Sequence, residues 1–174
     1  MPTKNILARL VGGDRRTIGR ADEVAAMVSK NPRLFPQLIA GLWSEELLVR
    51  MRAADATEKL TRENPKLLRP YKKELLGLMA DAAEQELRWH LAAIVPRLTL
   101  SAKERRIVSS LLHGYLEDRS SIVRTFALQG LADLAEGDAK LQAGVIELLR
   151  EAERSGTPAM KARSRKLLIH LEGR

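Results

Sequence analysis

The sequence predicts an all-α fold, a right-handed α-α superhelix (solenoid) of about five antiparallel helix pairs. Three observations predict it. A cap or acid, a short turn and then an apolar-basic pair recur: Asp14 to Gly19-Arg20, Ser44 to Val49-Arg50, Asp81 to Leu87-Arg88, Asp118 to Val123-Arg124 and Ser155 to Met160-Lys161. The basic anchors recur at intervals of roughly 30 to 38 residues, the length of one unit that cannot bury its apolar face alone and must stack on its neighbours. Finally, the chain is 45% apolar but only 3% aromatic, so its core is built from Leu, Ala, Val and Ile, a palette that suits helices better than strands.

Each element follows from local chemistry. Helix A of the first repeat spans about Thr3 to Val11 and is stopped by Gly12-Gly13, after which Asp14 caps a helix B running to about Lys30. Asn31-Pro32 opens the second repeat, with a helix A to about Leu42 and a long helix B from Ser44 to Asn64. Asn64-Pro65 repeats that punctuation, Pro70 bends or breaks the third helix A, and a helix B from about Glu84 to Val95 is ended or kinked by Pro96. Ser101 with Glu104 forms a capping box opening the fourth helix A, and Asp118 with Ser120 turns into its helix B. Asp138 caps the fifth helix A, and Thr157-Pro158 opens a last helix B ending near Leu171. The repeats are therefore about 3–30, 32–64, 65–99, 101–136 and 138–172, in one domain covering 1–174.

The apolar register has helical period. One residue before the anchor stand Val49, Leu87, Val123 and Met160, with Gly19 the exception; three and four after come mostly small or apolar residues, Ala53-Ala54, Leu91-Ala92 and Ala127-Leu128. Seven after come Met27, Val95, Leu131 and Leu168, with Thr57 out of pattern, and ten after come Leu60, Leu98, Leu134 and Leu171. That is one face of a 3.6-residue helix.

Helix, turn acid, Val-Arg, then small residues and leucine resembles the HEAT repeat, most closely in DRSSIVRTFALQGLADLAEGD (118–138). The resemblance implies a ladder in which turn acids and basic residues of successive repeats hydrogen-bond along the stack. Its members here would be Asp14, Asp81 and Asp118 with Arg20, Arg50, Arg88, Arg124 and Lys161, broken where Ser44 and Ser155 replace the acid. It also implies that B helices line the concave side, and it carries little about function, because the family hosts scaffolds, transport receptors and a few enzymes.

No cysteine is present, so thiolate metal sites, disulfides and cysteine nucleophiles are excluded. His90, His113 and His170 lack the spacing of a metal pair, and no glycine-rich phosphate loop or nucleophile elbow occurs. Glu45-Glu46 and Glu84 with Glu86 fall in first helical turns, where the macrodipole favours carboxylates without any catalytic role. We expect no catalytic residues, no metal and no cofactor. The N-terminal apolar stretch is too short for a signal or a membrane span, so a cytoplasmic monomer without membrane contact is expected.

The formal charge of +8 concentrates at the ends, in Lys4, Arg9, Arg15, Arg16 and Arg20 and in Arg154, Lys161, Arg163, Arg165, Lys166 and Arg174. Two readings stand: solvated end repeats, or a patch for an acidic partner or a phosphate backbone. On the B helices, Arg52, Trp89, His90, Arg97, Phe126, Gln129, Arg163 and Lys166 are expected to form a strip opposite the core. Aromatics flanked by arginines have the composition of a protein-binding hot spot, so the expected function is a protein-interaction scaffold for an acidic polypeptide. The alternative is a nucleic-acid-binding protein related to the HEAT-like alkylpurine DNA glycosylases. The few aromatics argue against base stacking and leave at most weak, non-specific, salt-sensitive binding.

Overall fold

The computed structural model describes residues 5–173, and every regular element among them is helical. None of these helices is long and apolar enough to cross a membrane. The chain falls into two compact units that meet in sequence at Pro70 and Tyr71.

The first unit contains a 3-10 turn Ile6–Arg9, α1 (Ala21–Lys30), a 3-10 turn Pro32–Leu34, α2 (Phe35–Ala40), a 3-10 turn Gly41–Trp43 and α3 (Leu47–Glu63). Its core joins Ile6, Leu10, Val24, Val28, Phe35, Leu38 and Leu42 to the alanine face of α3, Ala53, Ala54 and Ala56. Helix A of the first repeat was expected over Thr3–Val11. Its start at Thr3 lies outside the described residues, and the rest is the single turn Ile6–Arg9, because Gly12 and Gly13 take left-handed φ of 81° and 85°. Asp14 caps no helix. Its Oδ1 accepts from the Arg16 N–H within a turn, and α1 begins only at Ala21. The second helix A is likewise broken into α2 and its two flanking turns, with prolines at both Pro32 and Pro36. Ser44 closes a local turn by accepting from the Glu46 N–H, so α3 begins three residues later than the spacing suggested.

A 3-10 run, Pro65–Tyr71, contains Pro70, which produces the expected interruption, and leads into the second unit. There follow α4 (Lys72–Asp81), α5 (Gln85–Ile94), a 3-10 turn Val95–Arg97, α6 (Ala102–Tyr115), α7 (Ser121–Ala135), α8 (Ala139–Ser155) and α9 (Pro158–Glu172). The caps act as expected. Ser101 Oγ and the Glu104 carboxylate form a reciprocal capping box, while Ser120, Asp138 and Thr157 accept from the N–H groups of Val123, Leu141 and Met160. Glu104 also takes a 3.0 Å ion pair from Lys72, tying α4 to α6.

Helices α4/α5, α6/α7 and α8/α9 pair along the chain, and α7 lies between α5 and α9. Val123, Ala127, Leu131 and Leu134 of α7 are buried, as are Leu87, Leu91, Val108, Leu112, Val145, Leu149 and Leu168 around them. At Gly130 a Cβ would stand 2.6 Å from the Ala92 carbonyl oxygen, so α5 and α7 approach backbone to backbone. Only glycine permits that contact.

The recurring basic residue has one structural explanation in three helices. Arg50 donates to the Ser44 carbonyl at 2.7 Å, Arg88 to Ala82 at 2.8 Å and Arg124 to Asp118 at 3.2 Å, each six residues back. The guanidinium thus satisfies a carbonyl of the turn that precedes its helix, which a backbone N–H cannot reach. For Arg88 the turn residue that is satisfied is Ala82 rather than the expected Asp81, which lies seven residues back. Asp81 itself is exposed.

Candidate functional site

In the second unit, α7 presents Ile122, Thr125 and Phe126, and α9 presents Ala159, Ala162, Arg163 and Lys166, around an open groove of about 290 Å³. The groove exists because α9 carries alanines where it faces α7, leaving room that larger residues would fill. Ile122 is 47% exposed at its mouth. The Arg163 guanidinium lies over the Phe126 ring, 5.3 Å from its centroid, a cation–π geometry that holds both side chains.

Behind this pair runs a short polar relay. Arg163 Nη1 donates to Gln129 Oε1 at 2.6 Å, and Gln129 Nε2 donates to Asp133 Oδ1 at 2.8 Å. Burial pushes the Asp133 carboxyl above its ordinary range and Glu136 adds to this, while the Gln129 hydrogen bond and the charges of Arg97 and Arg163 work against it. Of the strip anticipated on the B helices, Phe126, Gln129, Arg163 and Lys166 therefore come together, with Arg97 close enough for its charge to act on Asp133. Lys166 is exposed at the edge.

Three residues of the strip are placed otherwise. Arg52 is 2% exposed and belongs to the core of the first unit. Its guanidinium donates to the carbonyls of Leu10, Gly12, Asp14 and Thr17, gathering the whole loop between the first turn and α1. A buried arginine needs such partners, and a loop without helical hydrogen bonds supplies carbonyls. Gly19 completes the fit: a Cβ there would lie 2.8 Å from Arg52 Cζ. Arg52 is thus unable to face a partner.

His90 is 7% exposed and Trp89 half-buried. The Trp89 indole N–H donates to His90 Nε2 at 3.1 Å, and His90 Nδ1 lies 2.6 Å from the Glu86 carbonyl. An indole can only donate, so Nε2 accepts and Nδ1 carries the proton toward Glu86. Both ring nitrogens are spent inside α5.

One rung of the kind the ladder requires is formed between α5 and the turn before α7. Arg88 Nη1 donates to Asp118 Oδ2 at 2.6 Å, linking α5 to the turn before α7. Arg20 pairs with Glu23 at 2.6 Å instead of with Asp14, and Lys161 is half-buried on α9. The basic ends are partly neutralised too, by Arg9–Glu23 and Arg154–Glu151. Arg15, Arg16, Arg165 and Lys166 are exposed.

No group of three or more His, Asp or Glu side chains among the described residues is arranged to hold a metal ion. His113 Nδ1 lies 2.7 Å from the Ser109 carbonyl and His170 Nε2 lies 2.9 Å from Glu136, both at the surface. Phe35 and Tyr115, two of the few aromatics, are buried, and the Tyr115 hydroxyl donates to the Met79 carbonyl at 2.7 Å. Comparison with family models, characterised proteins and solved structures returns no match.

Proposed function

We propose that this chain is a non-catalytic interaction module. In this reading the three helix pairs of its second unit stack in the HEAT manner, and the groove between α7 and α9 receives a polypeptide bearing acidic residues. The observation that carries it is the Phe126–Arg163 pair, held rigid by Gln129 and flanked by exposed Ile122 and Lys166. A preorganised aromatic-arginine centre with an apolar lip loses little side-chain entropy on binding, which is the physical basis of a hot spot. Lys166 and Arg163 give the groove a positive rim that selects carboxylates.

Selection from a displayed random-peptide library tests this. Acidic peptides containing an apolar anchor should be enriched, and Ile122→Asp with Lys166→Glu should weaken their binding about tenfold. The melting temperature should stay unchanged, because both side chains are exposed. Enrichment of basic or charge-neutral peptides would overturn the reading. The nucleic-acid alternative draws on exposed Arg15, Arg16, Arg165 and Lys166. The burial of Phe35 and Tyr115 leaves it with little aromatic surface for bases.

A further inference from the structure

The opposite layer of the second unit carries a larger groove. One wall is a single stripe of α6, Ala102, Arg105, Arg106, Ser109, Ser110 and His113, and the other is the start of α8, Asp138, Lys140 and Leu141. The space between them is about 740 Å³. The stripe follows helical spacing, and it lies away from the buried face of α6, which is Val108, Leu112 and Tyr115.

Why the groove stays open is legible from its residues. Ala102, Ser109 and Ser110 are too small to bridge to α8, and the longer Arg105 turns aside to donate to the Leu134 carbonyl at the end of α7. Asp138, the one acid present, spends a carboxylate oxygen on the Leu141 N–H as the cap of α8. Arg106 and Lys140, on opposite walls, are exposed and have no carboxylate partner among the described residues. Each wall therefore carries one exposed cation, and Ala102 and Leu141 add apolar surface to the lining.

We propose that this α6–α8 groove is a second docking site, separate from the α7–α9 groove, and that its occupant is a polypeptide segment with alternating acidic and apolar side chains. Charge complementarity commits the occupant to carboxylates, which Arg106 and Lys140 would hold from the two sides. The apolar lining of Ala102 and Leu141 commits it to a partner with side chains to bury. A nucleic-acid strand fits less well, since the groove offers no aromatic ring for a base to stack on. Two sites on opposite layers of one unit would let the module hold two segments at once.

The test titrates the ¹⁵N-labelled full chain with a short synthetic peptide of alternating glutamate and leucine, followed by NMR. Amide shifts should map to residues 102–113 and 138–141. The Arg106→Glu, Lys140→Glu double variant should weaken binding at these positions at least about tenfold. Lys166→Glu should leave them unchanged, so failure of the α7–α9 reading would show separately. Shifts absent from α6 and the start of α8, equal binding of a lysine–leucine control peptide, or displacement of the peptide by a DNA duplex at physiological salt would each overturn the proposal.

Discussion

Arg88 donates at once to the Asp118 carboxylate, 2.6 Å away on the turn before α7, and to the Ala82 carbonyl of its own turn. One guanidinium thereby closes the turn of one helix pair and fastens it to the next. It also lies 5.4 Å from the Tyr115 ring centroid, packing the rung against the end of α6. Burial by itself would raise the Asp118 carboxyl, but hydrogen bonds from the Ser120 N–H and Arg88, with the charges of Arg88 and Arg124, hold it below its ordinary range.

That depressed carboxyl sets a pH dependence. A carboxylate stabilised in the folded state contributes fully above its unfolded pKa, and the contribution is lost as pH falls below about 4 toward the folded value. Asp118→Asn should cost about 1–2 kcal/mol at neutral pH. Its stability gap from the parent protein should close as the pH drops below about 4. Urea unfolding at a series of pH values measures this, and a gap independent of pH would refute the role of the charge.

Asp133 has the opposite sign. Its carboxyl is raised by burial, so ionisation costs folding stability at neutral pH and the cost is relieved in acid. Asp133→Asn, which keeps an oxygen to accept from Gln129, should unfold at a slightly higher temperature than the parent protein at neutral pH. The advantage should fade as the pH is lowered through the carboxylate range. Thermal melts at both pH values decide it.

Arg52 should be the most costly side chain to remove from the first unit. Arg52→Met leaves the carbonyls of Leu10, Gly12, Asp14 and Thr17 without their donor and should destabilise by about 3 kcal/mol or more. Hydrogen exchange in residues 10–20 should accelerate more than in α3. Gly19→Ala should act on the same fit, since φ is 53° and Arg52 already occupies the space.

Two glycine substitutions of identical chemistry should differ in sign. Gly130→Ala drives a Cβ against the Ala92 carbonyl and should cost about 1–3 kcal/mol. Gly144→Ala, in the exposed middle of α8 with nothing within 4 Å, should stabilise by about 0.5–1 kcal/mol through helix propensity. Paired denaturation curves check both.

A gel-shift titration bears on the nucleic-acid alternative. Because Arg9, Arg20 and Arg154 of the basic ends are already ion-paired, any binding to duplex DNA should be weak and vanish between low and physiological salt. Retention at physiological salt would favour that alternative over a polypeptide partner.

The second unit was readable in outline because its signals are local. Ser101 with Glu104, Ser120, Asp138, and Thr157 before Pro158 act on N–H groups within three residues, and the apolar stripe follows from helical period alone. The first unit departed where a distant residue intervened. The loop after Gly12 takes its hydrogen bonds from Arg52, some forty residues away, and no window of sequence contains both ends of that interaction.

The site shows the same division. The side chains Phe126, Gln129, Arg163 and Lys166 share a helix-face register on α7 and α9, so spacing sufficed to group them. Arg52 has the same register and a different fate, because whether an arginine reaches solvent depends on what packs over it. The helical class, the caps and the core stripe follow from the order of residues. Burial, the choice of carbonyl by each arginine and the two grooves were decided only when the helices packed, since each depends on groups that sequence keeps apart and packing brings within bonding distance.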